Sequence, residues 1–357
     1  MRLRAAAIAA PCFAVLLAVS SCSAIPEDWR TPAFLKTGQE EVDDRLPEVS
    51  GKFGTEPEVD FSGKAPPQEQ VSGVVEKGDG ENDLIRASDI VKADVVEYQW
   101  TAKGKAEKTQ STYEADAPIL LNLGQLQEDL TESLVNQPVG SRVLYAFPPQ
   151  DPEQAQQMGQ PSPEPGSSVS VLDLHERYGE SEVVAGEQSS DGGGDLPTVK
   201  QNGHDRPDIT VPEDTDPPGE LKTEALIEGE GPEVKAGQQL VVQYTGVQWK
   251  NGEEFDSTWN RQGSEGVPAT FIIGDGQVIK GWDEGLVGQD VGSRMLLVVP
   301  PDKAYGDSAG QQGAPEGTLV FVVDILDAVN SAPPEEQGGG SGGGSGDGGG
   351  GGGGGGS

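Results

Sequence analysis

Cysteine and histidine are scarce in this chain of 357 residues. The two cysteines, Cys12 and Cys22, both lie near the start, and the two histidines are His175 and His204. A disulfide framework and a cysteine-based metal site are therefore excluded for the rest of the chain. With two histidines, the chain offers few residues from which a histidine-dependent catalytic triad could be built. We expect neither a metal ion nor a cofactor.

Positive charge and apolar residues are also in short supply. The chain has 24 Lys and Arg against 60 Asp and Glu, a formal net charge of -36. This excess would repel phosphates, which excludes direct nucleic-acid binding. Hydrophobic residues make up 34% of the chain, beside 52 glycines and 27 prolines. Much of it is therefore expected to be linker or tail, while the length suggests two domains.

The chain has one long apolar run, and it lies at the N-terminus. Two arginines precede the run from Ala5 to Val19, which is too short for a comfortable membrane span. The following "VSSC" resembles the lipobox of bacterial lipoproteins. This resemblance implies a signal peptide over residues 1–21, a diacylglyceryl group on the Cys22 thiol, and a lipid-anchored protein on the extracytoplasmic side of the cell membrane. The alternative is an ordinary secretory peptide cleaved near Ala24.

Composition and strand-like alternation divide the remainder. We predict a flexible tether (22–83), a first domain (84–178), an acidic linker (179–219), a second domain (220–330) and a disordered Gly-rich tail (331–357). The clearest alternating strands, "QQLVVQYTGVQW" and "TLVFVVDIL" among them, lie in the second domain.

An internal repeat relates the two domains. The segment Ile119 to Pro149 aligns without gaps on Phe271 to Pro301, including Val-Gly-Ser-Arg and Pro-Pro. Upstream "VVEYQW" matches "VVQYTG", and downstream "SVLDL" matches "FVVDIL". Three matches in the same order indicate two copies of one fold. Arg142 and Arg294 recur in the copies, which favours a structural ion pair over catalysis.

The second copy carries five motifs in order: "VVQYTG", "NGEEFDST", "VIKGWDEGL", "VGSRMLLVVPPDKAYG" and "GTLVFVVDIL". Together they closely resemble the FKBP-type peptidyl-prolyl cis-trans isomerase domain. The resemblance implies an α+β fold of two FKBP-like domains, each a twisted antiparallel sheet wrapped around a short helix, joined by disordered linkers. The stretch "GWDEGLVGQ" has helical spacing and supplies that helix.

Isomerising an X-Pro bond needs no nucleophile, because no bond to a heavy atom is broken. It needs an apolar pocket for the proline ring, a polar contact for the rotating carbonyl, and a shape that fits the twisted amide better than the planar one. The resemblance assigns such a pocket to eight residues. These are Trp282 as its floor, Tyr244, Phe255 and Phe321 as walls, Asp256 pointing inward, Val278 and Ile279 beside the tryptophan, and Tyr305.

Two of these residues are implied to donate hydrogen bonds to the ligand, the Ile279 backbone N–H and the Tyr305 hydroxyl. Phe271 is interpreted as core beneath the pocket, and Arg261 as a possible partner of Asp256. Ala269 and Ala314 stand where many family members have bulkier residues. We therefore expect a widened pocket, modest activity, and weak binding of macrolide inhibitors.

The first copy has lost these residues. The alignment places Leu130 opposite Trp282, Gln127 opposite Ile279, Gln110 opposite Asp256, Thr109 opposite Phe255, and Tyr98 opposite Tyr244, and "AYG" is missing. We interpret it as a degenerate domain without isomerase activity.

Three hypotheses follow. The first is an isomerase acting on X-Pro bonds of exported proteins. The second is a non-catalytic chaperone or peptide-binding lipoprotein that uses the same fold. The third is a purely structural surface lipoprotein. The sequence names no client and does not say whether the two domains touch.

Overall fold

The computed structural model describes residues 43–80, 83–149, 165–310 and 313–331. The signal peptide, Cys22 and nearly all of the Gly-rich tail lie outside the described residues. Within them, no helix is both long and apolar enough to cross a membrane.

Strands dominate the described residues, and helices are few and short. The first half contains β1 (Glu48–Ser50), β2 (Glu58–Asp60), β3 (Val71–Glu76), β4 (Ile90–Ala102), β5 (Lys105–Ser111), α1 (Thr112–Ala115), β6 (Ile119–Asn122), α2 (Glu128–Leu134), β7 (Arg142–Phe147) and β8 (Ser167–Tyr178). The second half contains β9 (Thr198–Asn202), β10 (Asp205–Thr210), β11 (Lys222–Ile227), β12 (Gln238–Gln248), β13 (Glu254–Ser257), β14 (Ala269–Ile272), α3 (Lys280–Leu286), β15 (Arg294–Val299) and β16 (Leu319–Asn330).

The two domains have the same sheet topology, which confirms that the internal repeat is one fold present twice. The first sheet has the order β3-β7-β8-β4-β5 with β6 also paired to β4. The second has the order β11-β15-β16-β12-β13 with β14 also paired to β12. One face of each sheet packs against its short helix, and both are antiparallel, as expected for two FKBP-like domains.

Each sheet also carries a β-hairpin that sequence reasoning missed. The β1–β2 hairpin places Val49 and Val59 against the apolar cluster that contains Trp100. The β9–β10 hairpin likewise packs beside Trp249, in a cluster that includes Val199. Both sheets are therefore covered on two faces, by a helix and by a hairpin.

The expectation of flexible segments before and between the domains is wrong where those segments are described. Residues 43–80 contain β1, β2 and β3, and β3 forms an edge of the first sheet, so the first domain begins well before residue 84. Residues 179–219 contain β9 and β10. The hairpin strands are short and offer few apolar residues, which is why their composition is typical of a linker.

Strand pairing corrects one alignment between the copies. Asp94 lies opposite Asp173 and Gln243 lies opposite Asp324, so the next residues, Val95 and Tyr244, are equivalent. Tyr98 instead matches Val247 and packs on the hairpin face, whereas Tyr244 packs on the helix face. The error arose because β4 and β12 are largely buried on both faces, so apolar residues still match after a three-residue shift even though that shift exchanges the two faces.

The alignment of Ile119 to Pro149 also needs one gap. Ile119 pairs with Ala93 and Ala269 pairs with Val242, so Ile119 is equivalent to Ala269 and not to Phe271. The connection from β6 to α2 is two residues shorter than the one from β14 to α3. The helices themselves keep the predicted register, because α2 and α3 begin directly after Gln127 and Ile279.

The domains contact each other, which the sequence had left open. Ile90 and Tyr178 of the first domain pack against Val241 of the second. The Tyr178 hydroxyl donates to the Asp327 carboxylate at 2.5 Å, and the Lys92 Nζ lies 3.0 Å from the same carboxylate.

Each domain buries one arginine–aspartate ion pair. The Arg294 Nε and Nη2 atoms donate to the two Asp324 carboxylate oxygens at 2.5 and 2.7 Å. Arg142 makes the same two contacts with Asp173. All four side chains are 1% exposed and lie on the hairpin face. This confirms that the repeated arginines are structural.

We expect Arg294→Met to lower the free energy of unfolding by about 3–5 kcal/mol, because Asp324 would remain buried without its partner. Urea unfolding followed by circular dichroism measures this loss. The control is Lys303→Met, which removes a charge from the solvent-exposed pair with Glu284 and should change stability little. Equal midpoints for the two variants would contradict the structural role of Arg294.

Candidate active site

An aromatic cluster surrounds Trp282, which is 4% exposed. Its ring centroid lies 5.1 Å from that of Tyr244, 5.3 Å from Phe271 and 5.5 Å from Phe321. The interplanar angles of 80–89° are edge-to-face arrangements, which the ring quadrupoles favour. Phe255 extends the cluster by packing at 5.5 Å against Phe321.

These rings come from five separate elements. Tyr244 projects from β12, Phe255 from β13, Phe271 from β14, Trp282 from α3 and Phe321 from β16. Because the helix lies across the sheet, its tryptophan meets side chains from the strands that face it. The sheet topology, not local sequence, brings the cluster together.

The cluster lines an open cavity of about 750 Å³. Its lining residues are Tyr244, Phe255, Asp256, Arg261, Phe271, Gly276, Gln277, Val278, Ile279, Lys280, Trp282, Asp302, Ala304, Tyr305, Gly306, Ser308 and Phe321. All eight residues predicted from the sequence are present. Phe271 also lines the cavity, so its interpretation as core beneath the pocket is wrong. Ala269 is not among the lining residues and packs in the core instead.

A polar network forms one side of the cavity. The Tyr244 hydroxyl donates to the Asp256 carboxylate, and the Arg261 guanidinium donates to the Tyr244 hydroxyl. Arg261 also lies 3.4 Å from Asp256, as the sequence suggested, and its guanidinium carbon is 5.3 Å from the Tyr244 ring centroid. Burial raises the pKa of Tyr244, and the hydrogen bond to Asp256 raises it further. Tyr244 is therefore a neutral proton donor at physiological pH.

Two further donors border the cavity. The Ile279 N–H precedes the first turn of α3, and no described residue accepts a hydrogen bond from it. Tyr305 lies between two short 3-10 turns and is 36% exposed. Burial, together with the nearby Asp256 charge, raises the pKa of Tyr305, so its hydroxyl keeps its proton. Both groups are free to meet an acceptor that enters the cavity.

Gly246 makes room for the cavity wall, and sequence reasoning missed it. A Cβ added to Gly246 would lie 2.7 Å from the Phe255 ring and 3.0 Å from the Phe321 ring. Only glycine lets both rings pack over this part of β12. The available signal was an isolated glycine inside a strand pattern, which often marks close approach of another group.

The first domain lacks this arrangement. Register places Thr109 and Gln110 at the positions of Phe255 and Asp256, as the alignment predicted. The equivalents of Phe321 and Gly246 are Ser170 and Glu97. Leu130 takes the helical position of Trp282. The described part of the first domain therefore has no aromatic box of this kind.

Comparison with known proteins shows which family the chain belongs to. Residues 231–326 match the model for FKBP-type peptidyl-prolyl cis-trans isomerases. An FK506-binding protein of Streptomyces anulatus is 44% identical over 124 residues, which is 34% of this chain and 96% of that protein. The chain belongs to the FKBP-type peptidyl-prolyl cis-trans isomerase family.

Other family members match a similar share of the chain. A probable FK506-binding protein of Corynebacterium glutamicum is 38% identical over 111 residues, 31% of this chain and 89% of that protein. The crystal structure of FkpA from Escherichia coli matches at 38% identity over 32% of this chain and 49% of its own, with a TM-score of 0.28. The residues matched by the family model hold the whole aromatic cluster.

The described residues contain no group of three or more His, Cys, Asp or Glu side chains that could hold a metal ion. The isomerase chemistry of the family does not call for one, since twisting an amide breaks no bond to a heavy atom.

We expect Gly246→Ala to lower kcat/KM for a proline peptide about tenfold, since overpacking of this size typically costs about 1–3 kcal/mol. A protease-coupled assay measures the rate. Gly219→Ala is the control, because an added Cβ there meets nothing within 4 Å. An unchanged rate for Gly246→Ala would show that the Phe255 and Phe321 rings do not shape the productive pocket.

Proposed function

We propose that the second domain isomerises X-Pro bonds of exported polypeptides in the cavity floored by Trp282. The observation that carries this proposal is the aromatic cluster, which leaves an open apolar cavity with unpaired donors at its border. The cavity is large enough for a proline ring together with the residues next to it. The family to which the chain belongs indicates the reaction, and the cavity indicates where in the second domain that reaction would take place.

The mechanism requires only differential binding. Amide resonance resists rotation with a barrier of about 18–20 kcal/mol, and a twisted amide is less polar than a planar one. An apolar cavity that excludes water therefore disfavours the planar amide more than the twisted one. The rings of Trp282, Phe255 and Phe321 hold the proline, while the flanking carbonyl rotates.

Hydrogen bonds select the twisted geometry. The Ile279 N–H donates to a substrate carbonyl at the helix start, and the Tyr305 hydroxyl donates from the opposite border. Preorganised donors of this kind stabilise the transition state because they do not need to reorient during the reaction. Asp256, held by Tyr244 and Arg261, forms a fixed polar wall facing the carbonyl that rotates.

The first domain is not assigned catalysis in this proposal, because Leu130, Gln110 and Thr109 replace the pocket residues. Its sheet, helix and buried ion pair are retained, so it folds and contacts the second domain. A non-catalytic role in holding polypeptide clients remains the alternative for the whole protein, with client binding but no acceleration as its signature.

The location of the protein is part of the proposal. The lipobox-like "VSSC" supports a diacylglyceryl anchor on Cys22, with both domains outside the cytoplasm. Exported polypeptides are the X-Pro substrates available there. We also propose weak binding of macrolides of the FK506 type, because the names of the relatives refer to that ligand while Ala314 replaces a bulkier residue in the loop after Tyr305.

The proposed site is tested by Asp256→Leu in the full chain. We expect at least a tenfold fall in kcat/KM for a proline peptide, because the polar wall and its contacts with Tyr244 and Arg261 are removed together. Gln110→Leu places leucine at the equivalent position of the first domain and should leave the rate unchanged. Equal activity of both variants would refute the site, and client binding by the unmodified protein without any acceleration would favour the chaperone alternative.

Lipid attachment is tested by Cys22→Ser. We expect loss of fatty-acid labelling and release of the protein from the membrane fraction, since the thiol is the proposed acylation site. Cys12→Ser is the matched control and should keep both properties. Mass spectrometry of the mature N-terminus separates the alternatives, because cleavage near Ala24 would remove Cys22 altogether.

A further inference from the structure

The segment that carries Arg261 into the site is an exposed loop with a narrow base. We call residues 258–267 the wall loop. At its base the Gly266 N–H donates to the Thr258 carbonyl at 2.9 Å, and at its tip the Ser264 N–H donates to the Arg261 carbonyl at 3.0 Å. The tip residues between Gln262 and Glu265 are exposed. The β13 side of the loop is held by contacts of Thr258 with Tyr244 and of Asn260 with Glu254, so the other side depends on Gly266.

The base of the wall loop is fastened from outside the loop. The Gly266 carbonyl accepts from the Nε2 atom of Gln243, a fully buried residue of β12. It also accepts from the Ser181 N–H at 2.8 Å. Ser181 follows β8 of the first domain by three residues, so this second donor comes from the segment between the domains.

The approach of Ser181 to Gly266 is close. A Cβ added to Gly266 would lie 3.1 Å from the Ser181 Oγ and 3.2 Å from its nitrogen, and Gly266 has φ +79°. Ser181 itself has φ +58°, an uncommon conformation for a residue with a side chain. A turn closed by the Glu182 N–H donating to the Gly179 carbonyl holds it there.

Ser181 is anchored on both sides. Before it, the Tyr178 hydroxyl donates to Asp327 of the second domain. After it, the Val184 N–H donates to the Asp324 carboxylate at 3.2 Å, and the Ser189 N–H donates to the Leu226 carbonyl at 2.8 Å. These contacts fix the position of the Ser181 N–H. Because they already restrict the backbone, the hydrogen bond to Gly266 forms with little further loss of conformational entropy.

We propose that Ser181 is a positioning residue for the pocket: its N–H holds the wall loop so that Arg261 reaches Tyr244 and Asp256. The proposal rests on the proposed function of that pocket. The Arg261–Asp256 pair is partly exposed, and such pairs hold their own geometry weakly. The position of the guanidinium consequently depends on the loop backbone, and the end of that backbone at Gly266 depends on Gln243 and Ser181.

If Ser181 positions the wall loop, the part of the chain that forms the pocket starts earlier than the second sheet. The second domain, as a working pocket, begins at the turn after β8 rather than at β11. The segment between the domains then belongs to the pocket wall, and the connection to the first domain enters the site within a few residues of Tyr178. The tandem arrangement has a role in the reaction even though the first domain has no pocket residues.

The test compares full-length variants in the proline-peptide assay. Ser181→Pro removes the N–H and cannot adopt φ +58°, and we expect kcat/KM to fall about 3- to 10-fold, the range for one lost hydrogen bond. Ser181→Gly keeps the N–H and should retain at least half of the wild-type value. Glu187→Pro, a proline change in the same segment at an exposed residue whose N–H has no hydrogen-bond acceptor among the described residues, should leave kcat/KM unchanged.

A double-mutant cycle shows whether the effect passes through Arg261. In an Arg261→Ala background, Ser181→Pro should have little further effect, because the group that the loop positions is already gone. Multiplicative losses would overturn the proposal and indicate a general loosening. If Ser181→Pro did not fold, Gly266→Ala would test the same contact from the loop side, with the same expected loss and the same dependence on Arg261.

The two proposals fail separately. If Asp256→Leu left the rate unchanged, the pocket assignment would be wrong. If Asp256→Leu lost activity while Ser181→Pro matched the wild type, only the positioning role of Ser181 would be overturned.

Discussion

The buried pair of Arg294 and Asp324 is the constraint on which the second domain depends. Two charges are held in an apolar interior because their opposite signs, two parallel hydrogen bonds and a further one from the Val184 N–H compensate for lost solvation. The pair joins β15 to β16 and therefore sets the register of the strands that face α3. A slip of one residue would break both hydrogen bonds and turn Phe321 away from the helix.

The equivalent ion pair in the first domain shows which features of the fold a buried arginine–aspartate pair specifies and which it does not. Arg142 and Asp173 maintain an identical strand order there, yet Leu130 and Ser170 replace the aromatic residues of the pocket. Scaffold and site are therefore separable. The scaffold needs the ion pair, the alternating strands and an apolar helix face. The site needs Trp282, its surrounding rings and the absence of a side chain at position 246.

Much of the fold and of the candidate site could be predicted from the sequence. The motifs around Tyr244, Phe255, Trp282 and Tyr305 identified the family and the cavity, because each motif combines a strand pattern with the chemistry that a prolyl pocket needs. The errors have physical causes. Tyr98 was matched to Tyr244 because strands buried on both faces carry apolar residues at nearly every position, and only the pairing of β4 with β8 and of β12 with β16 shows which face each tyrosine occupies.

The hairpins were missed because their strands are short and polar, and their stability comes from packing on a sheet distant in the sequence. Gly246 was missed because its importance lies in two rings contributed by other strands. Ser181 looked like part of an acidic linker, since nothing near it in sequence reveals that its N–H meets Gly266.

The sequence by itself determined the repeated fold, the set of aromatic and polar residues that line the cavity and their absence from the first domain, because these depend on which side chains are present and on their periodicity. Only the tertiary structure shows that a hairpin packs on each sheet, that the two domains are in contact, and that hydrogen bonds from Ser181 and Gln243 hold the wall loop. Those features rest on backbone hydrogen bonds and close approaches between distant segments. Backbone groups are the same for nearly every residue, so residue identity carries almost no information about where they meet.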